Sequence, residues 1–380
     1  MKNMTFNCCA PLRYALTAFC SLQFLLAPHL NAQEIAGLPE LPTVEIPSDT
    51  FSLPEPISIT NANGAVQLLQ GMEDGQLRFS FPNMPGAEAI IPITGRDFQV
   101  ILPLPANYNR SLLDYDRKNY RAYLAGMRST AEPLARFLGI PASQTNIHGV
   151  FNLYYKVFTA VGDLDEAVEL TFLIPWDSVP QDYLSLVPPL VYRTISEGAF
   201  DQTERLLSLL NQSLTENDFA EMAFGIADAL RTASQHTLAT RVYGSLAKSD
   251  NPSLREKSLL WAGYSRSVDG DPVGAREILD RVDELERDDR NFLTYCLALG
   301  RLGYAEENVR DGLRYLARAM VLTAVDATFK PELYYLVTSG YLRSGNEVAA
   351  NRLAAEFEIF FPDSPWMLKY QSEMENASNL

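Results

Sequence analysis

The chain has 380 residues, long enough for more than one packed unit, and 47% of them are hydrophobic. Its 47 acidic residues against 31 basic ones give a net charge of −16, and no basic stripe interrupts that balance, which argues against a nucleic-acid partner. Three histidines and four cysteines in all leave little material for a metal centre.

Residues 1–32 read as a secretory signal. Lys2 and Arg13 supply positive charge, no acid occurs, Tyr14 to Ala27 is mostly apolar, and a cut is expected after Leu30, Asn31 and Ala32. A membrane anchor is the alternative, but the run from Leu12 to Leu30 is interrupted by Arg13, Gln23, Pro28 and His29. Cleavage removes two positive charges, taking −16 to −18, and leaves Cys296 as the single cysteine, so no internal disulfide can form. Export to the periplasm, the cell surface or the extracellular space is the expected localisation, with no transmembrane segment after signal removal. Residues 33–56 carry Pro39, Pro42, Pro47, Pro54 and Pro56 among acids, which predicts a semi-rigid tether.

From 57 to 106 the hydrophobic period becomes two. Runs at Ala65–Leu69, Gln76–Phe81, Ala89–Ile93 and Phe98–Leu102 alternate with turn signals at Asn63-Gly64, Asp74-Gly75, Pro85-Gly86 and Gly95. They predict a small antiparallel β unit of four or five strands. So short a stretch makes a marginal core, so it should lean on the helices that follow. Residues 107–146 have helical spacing at Leu112, Leu113, Tyr120, Tyr123, Leu124 and Met127, as a capping pair or a degenerate leading repeat.

Residues 147–366 hold a helical-hairpin pattern that recurs six times. Its small-residue marker falls at Ala167, Thr203, Ala239, Ala275, Gly312 and Ala350, in steps of 36, 36, 36, 37 and 38. Five residues before the marker stand Gly162, Gly198, Gly270 and Gly345, with Ser234 and Glu307 as exceptions. Large residues follow the marker at Leu207, Tyr243, Leu279 and Leu316. A small residue lets two helix axes approach, and a hairpin that cannot bury its own apolar face must stack on its neighbours. The fold class expected is mainly α, a solenoid of about six helix-turn-helix repeats behind the β unit. Pro188 and Pro189 should make the second unit's first helix start late. Pro362, Pro365 and Trp366 close the last unit, and 367–380 is expected to be a polar tail that frays from Ser372 onward.

The last unit carries Tyr341, Gly345, Ala350 and Pro362, and the fourth carries Ala262, Gly263, Gly270 and Ala275. This pattern resembles the tetratricopeptide repeat, whose units are about 34 residues long. The resemblance implies that first helices line a concave groove. In that frame the inward positions are Lys156, Tyr192, Arg231, Lys257, Tyr264, Arg301, Tyr304, Tyr335 and Arg343, with Glu221, Asp228 and Glu332 as the acids. Five bases less three acids leaves about +2 on this surface of a strongly acidic chain. Tyr and Arg at intervals suit an extended peptide with acidic and apolar side chains.

Catalytic motifs are sparse. Beyond the signal only His148 and His236 remain, 88 residues apart. Ser245 and Lys248 have the S-x-x-K spacing, without the companion motifs of penicillin-recognising hydrolases. Asp269-Gly270-Asp271 resembles a calcium loop but places Val273 at a ligand position, so an inter-helix turn is the simpler reading. No cofactor is expected. The chain reads as an exported, non-catalytic repeat protein that binds a protein partner in the cell envelope, as a scaffold or assembly factor. Glycan binding is the alternative, and an enzyme whose site lies in the β unit comes third.

Overall fold

The computed structural model describes residues 38–46, 50–60, 64–93, 99–102, 104–176, 179, 181–324, 327 and 329–378. The expected signal segment, with Cys8, Cys9 and Cys20, lies outside the described residues, as do Phe98 and the turn residue Gly95.

Four strands, β1 (Phe51–Thr60), β2 (Val66–Glu73), β3 (Gln76–Phe81) and β4 (Met84–Pro92), form an antiparallel sheet in the order β1-β2-β3-β4. Ile59, Leu69, Leu77 and Phe79 are buried on it. The first strand starts six residues earlier than the period-two pattern predicts, inside the stretch read as a tether. Pro54 and Pro56 are tolerated because β1 is an edge strand and its register with β2 breaks between Ser52 and Ile57. The expected last strand is reduced to a parallel bridge from Val100 to Thr145. The sheet leans on the helical part as its size requires: the Phe51 and Phe137 rings lie 5.2 Å apart, and Arg136 sits 4.3 Å over Phe51. Nearby, the Asn146 side-chain amide and the Leu102 main chain exchange two hydrogen bonds of 2.8 and 2.9 Å.

The rest is helical: α1 (Tyr108–Asp116), α2 (Tyr120–Ala131), α3 (Ile147–Val161), α4 (Leu164–Phe172), α5 (Val187–Ser196), α6 (Phe200–Ser213), α7 (Glu216–Thr232), α8 (His236–Leu246), α9 (Pro252–Val268), α10 (Pro272–Leu279), α11 (Phe292–Ala305), α12 (Val309–Leu322), α13 (Lys330–Arg343), α14 (Glu347–Phe360) and α15 (Pro365–Ser378). From α3 to α14 they pack as neighbouring pairs, and first helices also touch first helices, as in α3 with α5, α5 with α7 and α9 with α11. This helical repeat-like architecture is compatible with a solenoid. Every marker residue is the fourth residue of its second helix and is buried, from Ala167 in α4 to Ala350 in α14. Thr203 is the polar exception, and its hydroxyl is satisfied at 2.8 Å by Thr194 of α5.

The turns show why the frame holds where the residue type changes. Gly198, Gly270 and Gly345 adopt left-handed φ of 75°, 83° and 75°, and Ser234 and Glu307, each at φ 61°, adopt the same conformation without glycine's freedom. Lys118, at φ 59°, gives the turn between α1 and α2 the same left-handed conformation. Gly162 departs, being extended, and Asp163 caps α4 through the Glu166 amide at 3.1 Å. Asp271, Asn308 and Asn346 cap α10, α12 and α14 in the same way, each such cap contributing about 1 kcal/mol.

Two further segments differ from expectation. Pro188 and Pro189 fall in the first turn of α5, where the missing amides cost nothing, so that helix does start late. The end of the chain remains helical as far as Ser378, because Met367 and Tyr370 are buried against the body while residues 371–375 face solvent. Among the described residues, no helix is long and apolar enough to cross a membrane.

Candidate functional site: a cationic pocket on the first helices

The row of first helices bends far enough for α7 to meet α13, three pairs further along. Arg231 of α7 lies 3.7 Å from Glu332 of α13, and Tyr264 of α9 donates a hydrogen bond to the same carboxylate. The guanidinium of Arg231 also lies 4.0 Å over the Trp261 ring, 5.2 Å over Tyr264 and 3.2 Å from Asp228. Both ion-pair partners are nearly inaccessible, with 9% and 6% of their side chains exposed. Burial works to discharge Arg231, but Tyr243 and the two carboxylates outweigh it and hold its pKa up. Burial lifts the Glu332 carboxyl to about 7 in spite of Arg231.

Around this bracket open two adjoining pockets of about 360 and 350 Å³, which share Arg231, Thr232, His236, Glu332 and Trp366. Volumes of roughly 300–1,000 Å³ are usual for ligand sites. The second pocket also reaches Tyr264, Arg301 of α11, Tyr335 of α13 and Lys369 of α15. Its aromatic wall is Trp366 against Tyr335, ring centres 5.3 Å apart, with the Lys369 ammonium 5.0 Å over Tyr335. Tyr335 donates to Glu373 at 2.7 Å.

Three nitrogens of these pockets lack partners, although the Asp228 and Glu332 carboxylates face Arg231. Arg231 Nε, Arg301 Nε and His236 Nδ1 are shielded from solvent, and none has a hydrogen-bond partner among the described residues. Burial lowers the Arg301 pKa; Tyr335 opposes that pull, and the like charge of Arg343 adds to it. Burial also drives His236 down to about 4, with Asp269 opposing and Arg231, Arg301 and Lys369 assisting, so the ring is neutral near pH 7. Each buried donor without an acceptor costs roughly 1–3 kcal/mol, and a bound oxyanion removes that cost.

Of the nine positions expected to face a groove, Arg231, Tyr264, Arg301 and Tyr335 line this pocket. Tyr304 and Arg343 stand beside it, the guanidinium 5.7 Å over the ring, and Tyr304 donates to the Leu336 carbonyl at 3.1 Å. Lys257 instead lies 4.0 Å over Phe224, while Lys156 and Tyr192 are exposed on the first two pairs. Tyr264, Tyr304 and Tyr335 are buried to 1%, 6% and 6% exposure, so they are packing residues of a narrow pocket, not the rungs of an open groove. His236, Trp366 and Lys369 were missed. Trp366 and Lys369, three apart, share a face of α15, a spacing visible only if 365–378 is read as a helix.

The motifs weighed for chemistry have other employment. Ser245 accepts a hydrogen bond from the Leu41 amide at 3.1 Å, and Lys248 pairs with Glu40 at 2.6 Å. Asp271 caps α10 and holds Arg266 at 3.0 Å. Burial raises the Cys296 thiol to about 11, leaving it protonated and unreactive near neutrality. Among the described residues no group of three His, Cys, Asp or Glu could hold a metal ion. Comparison with protein-family models and with curated proteins gives no match.

Proposed function

We propose that the chain is an exported, non-catalytic tetratricopeptide-like solenoid that holds an acidic, extended segment of a protein partner in the cell envelope. The pocket between α7, α11, α13 and α15 is the place where that segment's carboxylate is gripped. The observation that carries this reading is the pair of buried guanidinium Nε donors without acceptors at Arg231 and Arg301, beside the exposed cations Arg343 and Lys369. A carboxylate supplies the missing acceptors, and the Trp366–Tyr335 wall accepts an apolar side chain next to it. Glycan capture is the second reading, favoured by that same aromatic wall.

Trp366 is only half-buried, whereas Trp176 and Trp261 are buried at 4% and 5%, so tryptophan emission reports on the pocket. The full chain should be titrated with a panel of acidic peptides, with the same peptides in amide form, and with soluble oligosaccharides. Carboxylate peptides should quench or shift the emission, their amides should not, and Arg301→Met with Lys369→Glu should weaken binding at least tenfold, about 1.4 kcal/mol. Oligosaccharide binding that survives those two substitutions favours the glycan reading. A response to none of the probes removes the pocket as a site.

A further inference from the structure

The stretch read from sequence as a tether is bound to the body of the protein. From Leu38 to Val44 it runs without regular secondary structure across α6 and α8, burying Leu38 and Leu41 to 6% and 8% exposure while Glu40, Pro42 and Thr43 stay in solvent. Four side positions receive it. At Gly244 the strap lies against α8 so closely that a Cβ would collide with the Pro39 carbonyl. One residue on, the Ser245 hydroxyl accepts the Leu41 amide at 3.1 Å. A turn later, Lys248 pairs with Glu40 at 2.6 Å. On α6, the side-chain amide of Gln212, oriented to satisfy both its ends, accepts from the Val44 N–H at 2.7 Å and donates to the Val44 carbonyl at 3.1 Å.

This is the way a groove reads an extended peptide. Main-chain groups are met irrespective of sequence, two apolar side chains enter the body, and one charge is matched. Gly244 and Ser245 stand in the last turn of α8, Lys248 follows just past its end, and Gln212 completes the surface from the preceding second helix. None of the four lines the cationic pocket, and Gly244 stands eight residues, about 12 Å, along α8 from His236. Glycine in a helix interior is costly unless something must come close, and here the close object is a backbone carbonyl outside the repeats.

We propose that the groove between α6 and α8 is a second peptide-binding site. It takes an extended segment with Leu at its first and fourth positions, Pro at the second and an acid at the third. The chain's own residues 38–44 hold it in cis, so a partner segment of that chemistry enters by displacing the strap. The site belongs to surfaces that the cationic pocket does not use, and its fate is independent of the function proposed for that pocket.

The test uses the full chain and a fluorescein-labelled peptide carrying residues 38–46. Leu38→Ser with Leu41→Ser frees the groove; circular dichroism and thermal unfolding establish that the variant is folded. The peptide should bind this variant at least tenfold more tightly than the wild-type chain, whose strap competes. Adding Gly244→Leu should abolish that binding, while Arg301→Met should leave it unchanged. If the double serine variant fails to fold, Lys248→Glu, at an exposed position, loosens the strap instead; a peptide with Lys in place of Glu40 should then bind better than the unaltered one. A folded, strap-weakened chain that ignores the peptide at millimolar concentration overturns the proposal, because the strap would then be held only through its tethering. A wild-type dimer that vanishes with Gly244→Leu also overturns the cis assignment, since the occupant would then be the strap of a second copy.

Discussion

At the scale of single residues, Glu332 and His236 impose opposite pH dependence on the same bracket. The Glu332 carboxyl titrates near 7 in the folded chain against an ordinary 4.5, so between those values the folded chain keeps a proton that the unfolded chain has lost. Stability therefore falls as pH rises through that window. His236, at about 4 against an ordinary 6.5, is neutral when folded and charged when unfolded, so its contribution is lost as pH falls from 6.5 toward 4. Glu332→Gln removes the first effect alone. Urea unfolding should show the variant gaining on the wild type by about 1 kcal/mol or more between pH 4.5 and pH 7. A difference that stays flat across that range, or shrinks, would mean the carboxylate ionises freely in its bracket. Neither residue's role was legible in sequence: Glu332 stood in the inward frame as an ordinary acid, and its partners Arg231 and Tyr264 lie 101 and 68 residues away.

Among elements, the turn between paired helices is the best specified. The spacing of Ala167, Thr203, Ala239, Ala275, Gly312 and Ala350 located every second helix from its fourth residue, because a helix–helix crossing tolerates few residue types there. What spacing could not show is that Ser234 and Glu307 share the left-handed conformation of the glycines they replace. Ser234→Gly and Glu307→Gly should each raise the unfolding free energy by about 0.5 kcal/mol in urea, and Gly198→Ala should lower it by about 1 kcal/mol. Unchanged midpoints for all three would place the strain elsewhere than in these turns. Proline misled twice in the same direction: Pro54 and Pro56 hid an edge strand, and Pro39 and Pro42 hid the Leu38 and Leu41 pair that seats the strap. Composition reports what a segment cannot form locally, whereas a groove 200 residues away decides what it can dock against.

For the whole molecule, pairwise stacking was legible and long-range closure was not. Repeat arrays are held together by neighbour contacts, which makes their ends the first parts to open. Here Arg231 and Tyr264, from the third and fourth pairs, both hold Glu332 of the sixth and bypass the fifth. Native-state hydrogen exchange should therefore find α13 as protected as α7, and Arg231→Met should drop the protection of α13 below that of α7. Equal protection in the variant would mean that packing alone couples the pairs. The mechanical corollary is that this chain is no ordinary spring. Drawn out from its C-terminus under load, the segment from α7 to α13 should resist without gradual extension and then yield in one step, as a loop does when its clasp opens.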